Sequence, residues 1–281
     1  MPEITAALVG KLRAMTNAGL MECKKALIET NADLDAAVDV LRKKGAATAA
    51  KKAGREANEG VITQYIAPGS KSGVLVEVNC ETDFVAKNET FQEFSGNVAK
   101  ALIENPSADL EAMRTEAVGK IGENIQIARH QKLDVDGNGL IAGYIHTGAK
   151  VGVLVEVQAG SEATASNETF KQLVRDLTLQ IAAANPITVS REQIDPAIIE
   201  KEKEIAQEQA KGKPPQAIEK IIQGKLEKFY QNSCLVDQGY VKRNSEVTVK
   251  EHMDSIAKEL EDQISIHQFH RFQVGEATDS E

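Results

Sequence analysis

Tryptophan is absent from the 281-residue sequence, and aromatic residues of all kinds make up 4% of it, as 7 Phe and 4 Tyr. Cysteine is nearly as scarce. Cys23, Cys80 and Cys234 are odd in number and widely spaced, and none has a second Cys or a His at metal-ligand spacing. A disulfide framework and a Cys/His metal centre are therefore excluded as organising principles. No apolar run approaches the length of a bilayer span. The opening stretch, MPEITAALVGKLRAM, reads as an amphipathic helix with interspersed charge rather than an apolar leader. Positive charge is in deficit: 33 Lys and Arg stand against 42 Asp and Glu, a formal net charge of −9. Nucleic-acid binding through counterion release needs the opposite balance, so direct DNA binding is not expected. The phosphate-cradling GxxxxGK, the GxGxxG that follows a strand and the zinc-binding HExxH are all missing. His267 and His270, three apart on an expected strand, point to opposite faces and make a poor metal pair. These absences predict a cytosolic, reduced protein without metal, cofactor or membrane, whose partners are proteins or small molecules.

Against that background an internal repeat stands out. GVITQYIAPGSKSGVLVEV runs from Gly60 to Val78, and GLIAGYIHTGAKVGVLVEV from Gly139 to Val157, at a constant offset of 79 residues. The offset holds through Asn88-Glu89-Thr90-Phe91 and Asn167-Glu168-Thr169-Phe170. Each copy opens with two β-like runs joined by turn residues, a hairpin pattern. A helical pattern follows: Phe91, Phe94, Val98 and Leu102 in copy one, Phe170, Leu173, Val174, Leu177 and Ile181 in copy two. Asn105-Pro106 and Asn185-Pro186 stop the two helices. A hairpin plus a helix, used twice, predicts an α+β core of two pseudo-symmetric lobes, each antiparallel sheet burying one face under helices.

The flanking segments complete the expected organisation. Residues 1–56 read as three short helices and a linker. Thr16-Asn17-Ala18-Gly19 breaks the chain between the first two, Asn31-Ala32-Asp33 caps the third and Gly45 ends it. Residues 57–138 and 139–276 form the two lobes, and 277–281 an acidic tail. Residues 108–130 show a long helical pattern, interrupted at Gly119 and Gly122 by a bend or break. Residues 191–231 read as an antiparallel helical hairpin inserted in the second lobe, with Asp195-Pro196 starting its first helix and Gly212-Lys213-Pro214-Pro215 turning the chain. Thr248-Val249-Lys250-Glu251 is a capping box opening a helix to about Leu260, and Ile264 to Val274 is a final strand.

The two copies differ at the joint between strand and helix. Copy one reads Asn79-Cys80-Glu81-Thr82-Asp83-Phe84-Val85-Ala86-Lys87, and copy two Gln158-Ala159-Gly160-Ser161-Glu162-Ala163-Thr164-Ala165-Ser166. Small polar residues suffice in copy two, so the architecture does not require an aromatic at position 84. Spacing alone leaves two readings of Phe84 open. It fills its own core or the seam between lobes, or it stands exposed as an anchor for a partner.

TDFVAK at this joint resembles the signature of the bacterial elongation factor Ts family. The run Thr16-Asn17-Ala18-Gly19-Leu20-Met21-Glu22-Cys23-Lys24-Lys25-Ala26-Leu27 is similar to the family's N-terminal motif, and Lys120-Ile121-Gly122-Glu123-Asn124-Ile125 is a third match. The three stand in the family's order and span most of the chain. The resemblance implies a ubiquitin-associated-like N-terminal bundle, a doubled core and an inserted hairpin. It also implies a non-enzymatic nucleotide exchange factor for elongation factor Tu, the GTPase that carries aminoacyl-tRNA to the ribosome. In the contact so implied, Asp83 and Phe84, flanked by Thr82 and Val85, enter the GTPase domain. Phe84 wedges between two of its helices, the elements supporting the magnesium ion and the phosphate loop shift, and GDP leaves. Ile121, Gly122 and His146 match family contacts in the same region, and Leu20, Met21 and Lys24 match the N-terminal contact to the same domain. Tyr240-Val241 sits where the family usually shows Pro-Phe-Val and touches a further domain of the partner.

The sequence departs from the family pattern in places. Gly239-Tyr240 replaces Pro-Phe. Asn17 replaces a common Gly, and Asn also tolerates left-handed backbone. The further C-terminal helix of some members is not expected after Val274-Gly275-Glu276. Without the resemblance, Lys24-Lys25 and Lys51-Lys52 read as solvated helix faces, His146 as a surface histidine and Cys80 as a buried or semi-buried thiol. Two further functions fit the residues: an enzyme using Cys80, Glu81 and Asp83, and a scaffold joined through the hairpin, which is free to pair with a second copy, with the partner, or with both.

Overall fold

Val74, Val76 and Val78 are buried, and so are Gly73, Leu75 and Glu77 between them, so this strand is covered on both faces. Such a strand needs two covering layers. The computed structural model of the chain, which describes residues 3–16, 18–105 and 107–276, places helices against one face and a second sheet against the other. The elements run α1 (Ala6–Thr16), α2 (Leu20–Glu29), α3 (Leu34–Lys52), β1 (Glu59–Ile66), β2 (Ser72–Cys80), α4 (Asp83–Ala86), α5 (Glu89–Glu104), α6 (Leu110–Ile121), β3 (Ile125–Asp134), β4 (Gly139–Ile145), β5 (Val151–Ala159), α7 (Glu162–Ser166), α8 (Glu168–Ala184), α9 (Pro196–Gln209), α10 (Pro215–Ser233), α11 (Val249–Glu259) and β6 (Ile264–Gln273). Among the described residues the fold is α+β, 54% helical and 21% strand.

Two three-stranded antiparallel sheets form the centre, in the orders β1-β2-β3 and β4-β5-β6. Their registers correspond: Val61 opposes Val78 as Leu140 opposes Val157. Both middle strands carry an irregularity at the same place, Glu77/Val78 and Glu156/Val157. Phe91 and Val98 of α5 pack with Val74, Val76 and Val78. Phe170, Val174, Leu177 and Ile181 of α8 pack with Val153, Val155 and Val157. The opposite faces meet through Ile62, Leu75, Leu133, Ile141, Leu154 and Phe272.

This seam has an approximate two-fold character. The Ile62 amide donates to the Ala149 carbonyl and the Ile141 amide to the Ser70 carbonyl, each at 2.7 Å. The Val135 amide donates to the Lys71 carbonyl at 2.8 Å and the Val274 amide to the Lys150 carbonyl at 2.9 Å. The first two bonds cross between the lobes and exchange equivalent positions of the two copies, as across an isologous dimer interface, while the last two are equivalent bonds within each lobe. Gly73 and Gly152 permit the approach: a Cβ on Gly152 would lie 2.4 Å from Cγ2 of Ile62, and one on Gly73 2.8 Å from Cγ2 of Ile141.

Three expectations need correction. The helical pattern over 108–130 is helix only to Ile121. Gly122, at φ +84°, caps it in the left-handed region, and Ile125–Asp134 is the third strand of the first sheet. Isoleucines at 125 and 127 extend the helical period by coincidence, and pairing with β2 decides their state. Likewise Gly45 does not end the third helix, which runs on to Lys52 through the first half of the stretch 46–59 expected as a polar linker. A glycine within a helix costs about 1 kcal/mol relative to Ala, but here α3 crosses α6 closely, with a Cβ on Gly119 falling 3.4 Å from the Gly45 Cα. Finally, Ile4 lies before α1 rather than on it, though it packs against the bundle core of Leu12, Cys23, Leu27 and Ala37. Asn17, Pro106 and the acidic stretch 277–281 lie outside the described residues.

The helical hairpin α9/α10 starts at an Asp195 cap, whose side chain accepts from the Ala197 amide. Ile198 and Ile205 remain partly exposed on it. Arg191 ties its base together, reaching Glu227 at 2.7 Å and Asp237 at 2.7 Å.

Candidate functional site

The joint after β2 is built on a threonine. Thr82 caps the single turn of α4, its hydroxyl accepting from the Val85 amide at 3.3 Å. Ala86 is buried against the core of the first lobe and Val85 is half-buried beside it. Phe84 faces the other way and is 82% exposed. Next to it, Asp83 pairs with Lys87 at 2.7 Å, and this hydrogen bond holds the Asp83 carboxyl below the usual carboxylate range. The core-filler reading of Phe84 is therefore excluded. An aromatic this exposed lacks the burial that places most Phe side chains inside a fold.

Ile121 and Gly122 come to the same joint because Gly122 turns the chain into β3, whose first residue, Ile125, opposes Cys80. The two segments interlock. The Glu123 carboxylate accepts the amides of Glu81 and Thr82, each at 3.0 Å, and the Thr82 hydroxyl at 2.7 Å. In return the Glu81 carboxylate accepts the Asn124 amide at 2.6 Å and pairs with Arg55 at 3.3 Å. The Asn124 side chain donates to the Arg55 carbonyl at 2.7 Å, and Lys52 donates to the Gly122 carbonyl. The Asn124 amide, and after it Arg55, hold the Glu81 carboxyl below its ordinary range.

His146 reaches this end of the sheet by another route. It is exposed on the β4–β5 turn and shares a 2.9 Å hydrogen bond with Tyr144. The same turn is held to β1 by the Ile62–Ala149 backbone bond and by an ion pair between Lys150 and Glu59. Glu59 opposes Cys80, the last residue before the joint. The turn that carries His146 thus touches the first sheet near the end where residues 82–85 and 121–122 lie.

The remaining positions stand on other elements. Leu20 and Met21, 53% and 61% exposed, and the exposed Lys24 lie along α2, while Cys23, Ala26 and Leu27 form its buried face. Val241 is 40% exposed. Its neighbour Tyr240 is 2% exposed and contributes to the fold: its hydroxyl donates to Asp176 at 3.1 Å and its ring stacks on His252 at 4.3 Å. The Val241 amide donates to Gln180 at 2.9 Å, so a buried polar network holds this residue out.

Cys80 is fully buried, and burial, with the Glu123 charge, pushes its thiol up to about 12. A thiol so placed is inert, which removes the nucleophile from the enzyme reading. Among the described residues no group of three or more His, Cys, Asp or Glu side chains is arranged to hold a metal ion. No helix among them is long and apolar enough to cross a membrane. The sequence reading missed Arg55, Glu81, Glu123 and Asn124 as the frame of the joint. Only the acidic residue after Gly122 hinted at it, since two of its three partners are backbone amides.

The sequence pattern of the elongation factor TS family matches residues 81–276. The elongation factor Ts of Clostridium botulinum (strain Alaska E43 / Type E3) is 45% identical, covering 97% of this chain and 93% of its own. That of Nautilia profundicola is 44% identical over 98% and 94%, and that of Trichlorobacter lovleyi 42% over 97% and 93%.

Proposed function

Since the chain belongs to the elongation factor Ts family, we propose that it binds elongation factor Tu in its GDP form and expels the nucleotide by inserting Phe84 into the GTPase domain. The observation carrying this reading is an aromatic side chain 82% exposed on a one-turn helix that is itself pinned at its start. Burying a Phe ring contributes about 1.5–3 kcal/mol, enough for a contact that dominates an interface. Asp83, Thr82 and Val85 enter with it, and Ile121, Gly122 and His146 border the same contact. Leu20, Met21 and Lys24 form a second contact on the N-terminal bundle, and Val241 a third on the second lobe.

Exchange follows from linkage. A factor that binds the nucleotide-free GTPase more tightly than the GDP form weakens GDP binding by the same ratio. This requires no general base, metal ligand or covalent step on this chain, so the role is non-enzymatic. The division of labour matches the segments: residues 1–56 as an accessory contact, 57–138 carrying the wedge, and 139–276 buttressing it and supplying the distal contact.

Stopped-flow release of mant-GDP from elongation factor Tu tests the reading. Phe84→Ala is expected to slow stimulated release about tenfold or more, the equivalent of 1.4 kcal/mol or above. Its melting temperature should match that of the parent. An unchanged release rate would overturn the wedge.

A further inference from the structure

A single helical turn does not hold itself in place, because helix nucleation is unfavourable and its reward comes only with length. The turn α4 has four residues, and Phe84 contributes almost no packing to it. Something else must set the direction of the ring. Resting on the exchange reading above, we propose that Glu123 is a positioning residue that aims Phe84.

Its carboxylate gathers three donors from the two residues immediately before α4: the Glu81 amide, the Thr82 amide and the Thr82 hydroxyl. Hydrogen bonds to an ionised acceptor are the stronger kind. The third also fixes the polarity of the cap. With the Thr82 proton committed to Glu123, the hydroxyl oxygen is left to accept from the Val85 amide. Glu123 therefore orients the cap, and the cap orients the turn carrying Phe84. Glu123 is anchored in its own right, since it follows the left-handed Gly122, whose carbonyl takes the Lys52 ammonium. The return bond from the Asn124 amide to Glu81 closes the clasp.

Copy two provides a comparison within the molecule. There Asp262 accepts the Ser161 hydroxyl at 2.8 Å, so the cap is kept. Gly160 stands where copy one has Glu81, so the return arm has no carboxylate, and a backbone bond from the Gly160 amide to the Gln263 carbonyl at 3.0 Å ties the two segments instead. The lobe without an aromatic at its joint also lacks the charged carboxylate of the return arm. The Glu-Asn pair in the motif that follows Gly122 thus acquires a role: it holds the wedge rather than touching the partner.

The absence of tryptophan supplies a direct probe. Phe84→Trp places the only Trp of the chain at the wedge. In the free full-length protein, adding Glu123→Gln should lower the steady-state anisotropy of that Trp. Glu81→Ala, which removes the return arm and its ion pair with Arg55 but leaves Glu123 in place, should lower it less and serves if Glu123→Gln fails to fold. Asp262→Asn, which alters the other joint, should leave it unchanged. In exchange assays Glu123→Gln should slow stimulated mant-GDP release severalfold in the parent and less than twofold when Phe84 is already Ala. Unchanged Trp anisotropy in both clasp variants overturns the proposal. So does an equal loss of exchange with and without Phe84, which would make the clasp a purely structural tie. The exchange reading fails separately, if Phe84→Ala alone leaves release untouched while the anisotropy still falls.

Discussion

Phe84 and Phe91 lie seven residues apart and have opposite surroundings: one is 82% exposed, the other fully buried in the first lobe. The difference lies in the backbone that presents them. Phe91 sits on the inward face of α5, whereas Phe84 sits on the outward face of a turn whose inward face is Ala86. Truncating Phe84 is therefore a near-neutral change for folding, within about 0.5 kcal/mol as for other surface substitutions. Glu81 beside it is the opposite case. Its folded pKa lies below the ordinary Glu value of 4.5, chiefly through the Asn124 amide. Its ionised form is favoured in the folded state, so its contribution is complete above the unfolded value and is lost as the pH falls from there through the folded one. Melting curves of the parent and Glu81→Gln should differ at neutral pH and converge as the pH falls below the ordinary carboxylate range. A gap that persists in acid would show that ionisation of Glu81 is not what stabilises the joint.

At the scale of elements, the inserted hairpin depends on its base. Arg191, just ahead of α9, makes paired bonds to Glu227 on α10 and to Asp237 beyond it, and lies 4.6 Å over the Tyr230 ring. Partial exposure discounts these charges, but their planar, bidentate geometry is the favourable kind. Arg191→Ala should raise amide exchange in α9 and α10 by on the order of tenfold, equivalent to about 1.4 kcal/mol, while amides of β2 and β5 keep their protection. Uniform acceleration across the chain would mean that the hairpin is part of the core's cooperative unit. The crossing of α3 and α6 is another element-scale feature: glycine in each helix lets the N-terminal bundle sit directly on the first lobe. That crossing also brings Lys52 to the Gly122 carbonyl.

Across the whole molecule the two lobes act as near-equivalent halves joined back to back. The repeat extends beyond the hairpin and helix to α6–β3 and α11–β6, with the inserted segment between α8 and α11 interrupting only the second copy. The seam between the sheets has no room to spare at Gly152, where a methyl group would overlap Ile62 and press on Ile145 and Leu75. Overpacking of this sort costs about 1–3 kcal/mol. Gly152→Ala should lower the midpoint of the core transition in urea accordingly, and Gly73→Ala should do the same from the other side. A midpoint equal to the parent's would mean that the seam relaxes without cost. Proposed contacts on both lobes depend on this seam, because it holds the His146 turn against the sheet that carries Phe84.

Local pattern alone determined much of this protein. The β-like apolar runs, the period-3.6 faces, the caps at Asp33, Asn88, Asn167, Asp195 and Thr248, and the 79-residue repeat are properties of the linear sequence. The same reading mistook 125–130 for helix and ended α3 at Gly45, because strand pairing and helix crossing depend on partners distant in the chain. Phe84 is the sharpest instance. Comparison of the copies showed that the joint could be built without an aromatic, yet left core and surface equally open. Only the tertiary structure decided between them, because the direction of that ring is set by a carboxylate 39 residues away, through two backbone amides and the Thr82 hydroxyl, a pairing that has no signature in the sequence.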